Sequence, residues 1–221
     1  DEEKAATAIS FETATFSPFA ALWMGDAEKA VEEAAEDATV KEPTYITLEK
    51  EVDGVKVTLT AEEGVVPEGA ELSVTPITAD NAETKERYEE VEQQLADKIA
   101  EENEANEETK EIAGFLAYDI KLLVTDAEGN VTEIEPDGEV KVSMEYKEAM
   151  IPEAVELAED LVVTVHHFEE DENGEVKEIV DMVAEEAIEA AVTLTENAEI
   201  EKAEFVTESF STYTITWSNN Y

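Results

Sequence analysis

His166 and His167 are the only histidines of the sequence, and they are its side chains best suited to proton transfer or metal binding. The residues around them alternate apolar and polar, which predicts a β-strand. Because neighbouring side chains of a strand point to opposite faces, the two imidazoles cannot share one metal ion. We expect one of them to be buried beside Val163 and Val165, lining a wall of the core rather than acting as a catalyst.

Two acidic turns, at residues 126–130 (DAEGN) and 171–174 (DENG), superficially resemble calcium-binding loops. Neither has the twelve-residue layout of such a loop, and both fit hairpin turns better. Calcium held by acidic loops at a module junction remains an alternative, and no other cofactor is indicated. The sequence also lacks the G-x-S-x-G turn of serine hydrolases, so we predict that the protein is not an enzyme.

The charge of the chain is strongly one-sided, with 59 acidic against 14 basic residues and a formal net charge of −45. Such a surface repels nucleic acid and anionic lipid, so neither is an expected partner. Adaptation to high salt and simple solubility are alternatives to a functional reading of this charge. The absence of cysteine excludes disulfides and thiolate metal sites, and it fits the surface of a Gram-positive bacterium better than a secreted eukaryotic domain. No apolar run is long enough to predict a membrane span.

One strand pattern occurs near both ends of the chain: residues 11–23 read FETATFSPFAALW and residues 205–217 read FVTESFSTYTITW. A self-match of this kind indicates an array of modules. We therefore predict that residues 1–24 are the tail strand of a preceding module and that residues 25–43 are an acidic, Ala/Glu-rich linker. Residues 44–221 would then form one complete module.

The body of this module alternates with period two, segment after segment, with Asp, Asn and Gly turns between segments. This pattern predicts a mainly β fold, an antiparallel β-sandwich in which each strand has one packed and one solvated face. The predicted core rows include Leu122, Val142, Val163, Phe205 and Trp217.

One segment breaks the alternation and predicts an inserted amphipathic helix at about residues 81–104. Asp80 and Glu83 have the spacing of a capping box at its start. An apolar stripe would lay this helix on an edge or a face of a sheet; the stripe consists of Tyr88, Val91, Leu95 and Ile99. A short second helix is predicted near residues 152–159, because proline is favoured at a first helical position.

The string VKVTLTAEEGVVPEGAELSVTPI at residues 55–77 resembles the β-sandwich domain shared by ankyrins, netrin receptors and zona-occludens proteins. The resemblance rests on a strand, a turn with Pro67, Gly69 and Ala70, and a second strand. Residues 117–136 and 205–217 look like modules repeated in large surface proteins of anaerobic Gram-positive bacteria. The resemblance covers most of residues 44–217.

The resemblance implies one reaction, because some members of the family cleave themselves at a His-Phe-Ser sequence between Phe and Ser. There the serine hydroxyl attacks its preceding carbonyl in a strained turn, an ester forms, and water hydrolyses it. The matching triplets here are Ser209-Phe210-Ser211 and Thr15-Phe16-Ser17. Both have a hydroxyl residue where the family has histidine, and a hydroxyl is no base near neutral pH. We therefore predict that the bond between Phe210 and Ser211 stays intact.

These observations favour a structural and display module of a multi-domain extracellular protein on a bacterial cell surface, acting as a stalk or spacer. Its expected partners are neighbouring modules of the same polypeptide. An adhesive module that binds a protein or host-surface ligand is the first alternative, with the helix at about 81–104 as its distinguishing accessory. A self-cleaving domain is the second.

Overall fold

The computed structural model describes residues 43–106, 109–158, 161–171, 173–182 and 191–220. The unit that contains them begins at Pro43. The predictions for residues 1–24 and for the linker up to residue 42, including the triplet Thr15-Phe16-Ser17, lie outside the described residues.

The described part consists of strands and one long helix, α1 (Lys85–Asn106). The strands are, in chain order, β1 (Tyr45–Val52), β2 (Val55–Glu62), β3 (Ala70–Ile77), β4 (Lys110–Thr125), β5 (Val131–Ile134), β6 (Val140–Met150), β7 (Leu161–Glu170), β8 (Val176–Asp181), β9 (Val192–Leu194), β10 (Ile200–Thr207) and β11 (Thr212–Asn220). α1 is not apolar enough to cross a membrane, and no other helix in the described ranges is a candidate span.

Two antiparallel sheets stack to form the predicted sandwich. The first has the strand order β1-β2-β6-β10-β9, and the second has the order β3-β4-β11-β7-β8, with β5 added beside β4. The inward rows of both sheets form one buried core, as the alternation predicts. All five residues that we named for the core rows are buried: Leu122, Val142, Val163, Phe205 and Trp217. A hydrogen bond of 3.1 Å between the buried Tyr146 and Tyr118 hydroxyls links β6 to β4.

The middle of the second sheet, above all β11, is buried on both of its faces, which corrects the prediction that each strand has a solvated face. Glu71 and Thr75 of β3 stay exposed, as predicted. α1 lies on the outer face of this sheet, where Val91 and Leu95 bury completely. Tyr88 stacks on Phe115 of β4 with ring centroids 4.7 Å apart. The apolar stripe predicts that the helix lies on an edge or a face of a sheet, and the structure confirms the face. Alternation in a single strand does not reveal which strands the helix covers.

The helix starts four residues later than the sequence predicts, at Lys85 rather than about residue 81. Asn81, not Asp80, makes the cap: its side-chain oxygen accepts the N–H of Glu83 at 2.9 Å. The hydroxyl of Thr84 then exchanges two hydrogen bonds with the backbone of Thr78. These bonds fold residues 81–84 into a turn that precedes the helix.

The second helix predicted near residues 152–159 is absent over residues 152–158, which form a single turn closed by the Val155 N–H and the Pro152 carbonyl at 3.0 Å. Gly114 of β4 explains the difference. A Cβ atom at Gly114 would lie 2.8 Å from a methyl of Val155 and 3.0 Å from Cβ of Pro152. The segment therefore packs irregularly against the space that glycine leaves, rather than continuing as a helix.

Three hairpin turns share one design, and they begin at Asp126, Asp171 and Thr195. In each, the first side chain accepts the backbone N–H groups two and four residues later. The fourth residue of each turn has a positive φ; it is glycine in the first two turns and Ala198, with φ 55°, in the third. Alanine is strained in this conformation and glycine is not.

Replacing Ala198 by glycine is therefore expected to stabilise the protein by about 0.5–1 kcal/mol, because relief of the left-handed strain exceeds the entropy cost of glycine. Urea unfolding of the purified chain measures the change. The reverse substitution, Gly174→Ala in a turn of the same design with φ +78°, serves as control and should destabilise. A loss of stability in A198G would contradict this account of the turn.

Candidate functional site

The predicted cleavage triplet forms the turn that carries the chain from β10 in the first sheet to β11 in the second. Phe210 and Ser211 are buried, and the ring of Phe210 belongs to the sandwich core. The Phe210 N–H donates to a carboxylate oxygen of Glu135 at 2.8 Å. The Ser209 carbonyl accepts hydrogen bonds from the hydroxyls of Thr207 at 2.8 Å and Tyr213 at 2.6 Å.

His167 supplies the imidazole that the triplet lacks in sequence. Because β7 and β11 pair with His167 opposite Tyr213, the imidazole Nε2 lies 2.8 Å from the Ser211 hydroxyl oxygen. The imidazole also stacks on the Tyr213 ring, with centroids 4.3 Å apart and an interplanar angle of 6°. A nucleophile and a base within hydrogen-bonding reach are the first requirement of covalent catalysis.

The hydrogen bonds of Ser211 nevertheless point its hydroxyl proton away from His167, the base that would have to accept it. The Ser211 hydroxyl has one proton, and its oxygen lies 2.6 Å from the Phe168 carbonyl oxygen, which can only accept. The serine proton therefore points to Phe168. His167 Nε2 must then be the donor to the serine oxygen, because two facing lone pairs would repel. An imidazole protonated at Nε2 cannot take the serine proton.

Two further parts of a cleavage site are missing at this turn. No N–H or O–H group of the described residues donates to the Phe210 carbonyl oxygen, so a developing oxyanion would have no donor. The residues other than glycine with positive φ in the described ranges are Asp53 and Ala198, so the triplet carries no backbone strain of that kind. The hydrogen bonds of the Ser211 hydroxyl with His167 and with the Phe168 carbonyl therefore hold the start of β11 against β7.

The purified chain is therefore expected to give a single intact mass after prolonged incubation at neutral pH. Mass spectrometry of wild type beside Ser211→Ala measures this, because the variant removes the only hydroxyl able to attack the Phe210 carbonyl. Two fragments that meet between Phe210 and Ser211, present in wild type and absent in S211A, would show that the bond is cleaved.

His166 faces the other side of β7, as the alternation predicts, and lies beneath α1. Its Nδ1 is 3.1 Å from the Thr216 hydroxyl, which is 3.0 Å from the Thr214 hydroxyl. Burial lowers the pKa of both His166 and His167 to about 4, although the carboxylates of Asp181 and Glu169 oppose the shift. Both imidazoles are therefore neutral at pH 7 and serve as hydrogen-bonding groups in a packed interior.

Carboxylates cluster near the same turn, around a cavity of about 400 Å³. Burial raises the pKa of Asp119, Glu135 and Glu170. Arg87, the one arginine of the sequence, offsets this charge by donating to Glu170 at 3.2 Å and to the Thr212 hydroxyl at 3.0 Å. It thereby ties the first turn of α1 to the ends of β7 and β11.

Both acidic segments form hairpin turns, which begin at Asp126 and Asp171. The Asp126 and Asp171 carboxylates are used by the turns themselves, and their pKa values are lowered, chiefly by the Asn130 side chain and the Glu175 N–H respectively. Within the described ranges, no group of three or more histidine, cysteine or acidic side chains is placed to hold a metal ion.

A second concave feature, of about 430 Å³, lies between α1 and the first half of β4. Its apolar walls include Tyr88, Ile99 and Phe115. Lys110 and Asn103 add polar groups at the end where α1 finishes, and Asn103 exchanges two hydrogen bonds with the Lys110 backbone. This groove lies where the helix meets the sheet, which is the place that the adhesive alternative requires.

Sequence reasoning missed the partners of the triplet because they come from distant parts of the chain. His167 is 44 residues from Ser211, and Glu135 is 75 residues from Phe210. These contacts depend on which strands lie side by side, and periodicity within one strand does not show which distant strand pairs with it. Only the inward position of His167, in one row with Val163 and Val165, could be predicted.

Comparison of this chain with protein-family models, with curated proteins and with solved structures found no match. The resemblance to the sandwich domain of ankyrins, netrin receptors and zona-occludens proteins therefore stays a prediction from the sequence.

Proposed function

We propose that this chain carries a non-catalytic structural and display module of a multi-domain extracellular protein, where it acts as a stalk or spacer. The observation that supports this most directly is that the chain enters the sandwich at one end and leaves it at the other. The cysteine-free, acidic composition fits a Gram-positive bacterial cell surface as its location.

The strand registers define the two ends of the sandwich. Tyr45 pairs with Glu62, Ala61 pairs with Val140, and Val140 pairs with Thr207. The start of β1 therefore lies at the same end as the finish of β10 and the turn into β11. We call this the leading end.

The other end of the sandwich, which we call the trailing end, is where β11 finishes. β11 has nine residues, so its first and last Cα atoms are separated by eight rises of about 3.3 Å, or about 26 Å. Asn219 pairs there with Leu161 at the start of β7. A module that receives the chain at its leading end and releases it at its trailing end adds its own length to a stalk.

This connectivity also determines how the module would carry tension. β1 is an edge strand that pairs with β2, whereas β11 lies between β4 and β7. Pulling the two chain ends apart loads these strands along their axes, so hydrogen bonds would be sheared together rather than opened one at a time. A surface of strong negative charge would keep neighbouring molecules apart.

The distance between the two chain ends tests this proposal, because the cysteine-free chain accepts labels at chosen positions. Spin labels at Thr44→Cys and Asn220→Cys should give a narrow distance distribution at or above about 26 Å, unchanged between about 0.05 M and about 1 M salt. A distribution that is broad, or centred well below the length of β11, would contradict a rigid spacer.

An adhesive module is the second candidate function, and the groove between α1 and β4 supports it. A ligand with an aromatic or alkyl part would contact Tyr88, Ile99 and Phe115 there. The groove is only partly enclosed, and the polar side chain of Asn103 is bonded to the Lys110 backbone, so we rank this function below the spacer.

Filling the groove tests the adhesive alternative. The uncharged apolar dye Nile red serves as probe, with Ala100→Trp to block the groove and Gln93→Trp on the exposed side of α1 as control. Dye binding that A100W removes and Q93W preserves would support a ligand site. Equal dye fluorescence in all three proteins would argue against one.

A further inference from the structure

The exposed large apolar side chains of the described part are confined to the two ends of the sandwich. They are Tyr45, Val131 and Val206 towards the leading end, and Met150, Leu157, Val162 and Leu194 towards the trailing end. Scattered exposed apolar residues need no explanation, but their restriction to the two ends of the sandwich does. A spacer that made no contact with its neighbouring modules would have no use for apolar side chains exposed at its ends.

The two ends differ in shape. At the leading end, Tyr45, Val65 and Val206 line a cleft of about 330 Å³. At the trailing end, Leu157 has 61% of its surface exposed, on the irregular segment that packs over Gly114. One end thus offers a concave apolar surface, and the other offers an exposed leucine side chain.

We infer that the trailing end of one copy of this module docks on the leading end of the next, with the Leu157 segment in the Tyr45–Val65–Val206 cleft. This inference rests on the proposed function, since only an array places these two ends together. The strand pattern of residues 205–217, which includes the last strand of the module, recurs at residues 11–23, before β1 in the sequence. The chain thus carries a module-end sequence where a preceding copy would finish.

Charge sets the conditions under which this contact forms. Glu153 and Glu156 flank Leu157, and Glu62 and Glu139 border the cleft. The cleft also contains Lys141, which is paired with Glu204 at 3.2 Å, so acidic charge predominates on both surfaces. Salt screens this repulsion over about 8 Å at physiological strength and over less at higher strength. The contact should therefore strengthen with salt, whereas a basic partner on either end would be released by salt.

The contact is too small to hold separate molecules together, but it is large enough for modules that are joined in one polypeptide. Three or four partly exposed side chains on each end bury less than the roughly 1,200 Å² of a stable interface between separate proteins. A linker in the same polypeptide raises the effective concentration to about millimolar, which makes a small contact sufficient.

A tandem protein of two complete chains tests the inference, with Thr58→Cys labels for energy transfer on the first sheet of each copy. At about 1 M salt, one compact high-transfer population is expected. Leu157→Glu in the first copy should lower the ratio of docked to undocked molecules about tenfold or more, because a carboxylate would enter the cleft. The same substitution in the second copy should change nothing, since that trailing end is free.

Tyr45→Glu provides the reciprocal control, with a loss expected in the second copy and none in the first. Effects that do not depend on which copy is changed, or a wild-type tandem that stays extended at high salt, would overturn the docking. Neither result would touch the spacer function, because the distance between the ends of a single chain is measured separately.

Discussion

Acidification from pH 7 to about pH 4 is expected to cost the folded protein up to about 3 kcal/mol for each of its two buried histidines. Burial lowers the pKa of His166 and His167 from 6.5 to about 4. A difference of one pKa unit between the folded and unfolded states corresponds to about 1.4 kcal/mol. The effect is large because both imidazoles lie in packed interiors on either side of β7.

The direction of the effect follows from the proton balance. The unfolded chain binds these protons near pH 6.5, whereas the folded protein binds them only near pH 4. The unfolded state therefore holds more protons between these values. The stability that the neutral histidines provide is complete above pH 6.5 and is lost as the pH falls towards 4.

Carboxylates with raised pKa values act in the opposite direction, so the histidine contribution must be isolated by substitution. Asp119, Glu135 and Glu170 bind protons more readily in the folded state, which favours folding as the pH falls. The pair His166→Asn and His167→Gln keeps a nitrogen near each hydrogen-bonding position and removes the titration. Urea unfolding at both pH values should show a much smaller pH dependence in the double variant. An identical pH dependence in the two proteins would contradict the burial argument.

Replacing Trp217 by alanine is expected to destabilise the protein by about 3–5 kcal/mol. Trp217 is fully buried in the sandwich core, between Gly114 of β4 and Val163 of β7 in the strand register. Its indole N–H also donates to the Ala198 carbonyl at 2.7 Å, which ties β11 to the turn between β9 and β10. Truncation thus removes both the packing and a bond between the sheets.

Two controls separate these contributions. Trp217→Phe keeps most of the ring and removes the donor, so it should cost about 1–2 kcal/mol. Trp23→Ala changes the corresponding position of the strand pattern at residues 11–23. Because the sequence predicts that residues 1–24 belong to a preceding module, this substitution should leave urea unfolding unchanged. A comparable loss of stability in W23A would mean that residues 11–23 support the same core.

The part of the fold that depends on local pattern could be predicted from the sequence. Alternation predicts the inward rows, such as Val142 on β6 and Phe205 on β10, because a side chain's face is set by its place in the strand. The stripe of Val91 and Leu95 likewise predicts which side of the helix is buried. These features depend on neighbours within one element, and the structure confirms them.

The part that depends on pairing between distant segments could not be predicted. The hydrogen bond between His167 and Ser211 depends on how β7 pairs with β11. The burial of Thr214 and Thr216 depends on the helix that covers this face of the sheet. The helix predicted near 152–159 failed for a related reason. The helix propensity of the residues after Pro152 carries no information about Gly114, which is distant in the sequence and leaves space into which Pro152 and Val155 pack.

Single-molecule pulling tests the spacer function most directly. Handles at Thr44 and Asn220 load the module along its strands from opposite ends, whereas handles at Thr44 and Glu208 load it from the leading end alone. We expect the first geometry to require a several-fold higher unfolding force, because shear breaks the hydrogen bonds of a strand pair together. Equal forces in the two geometries, or unfolding at low force in the first, would contradict the proposal that this module spaces and displays its neighbours under load.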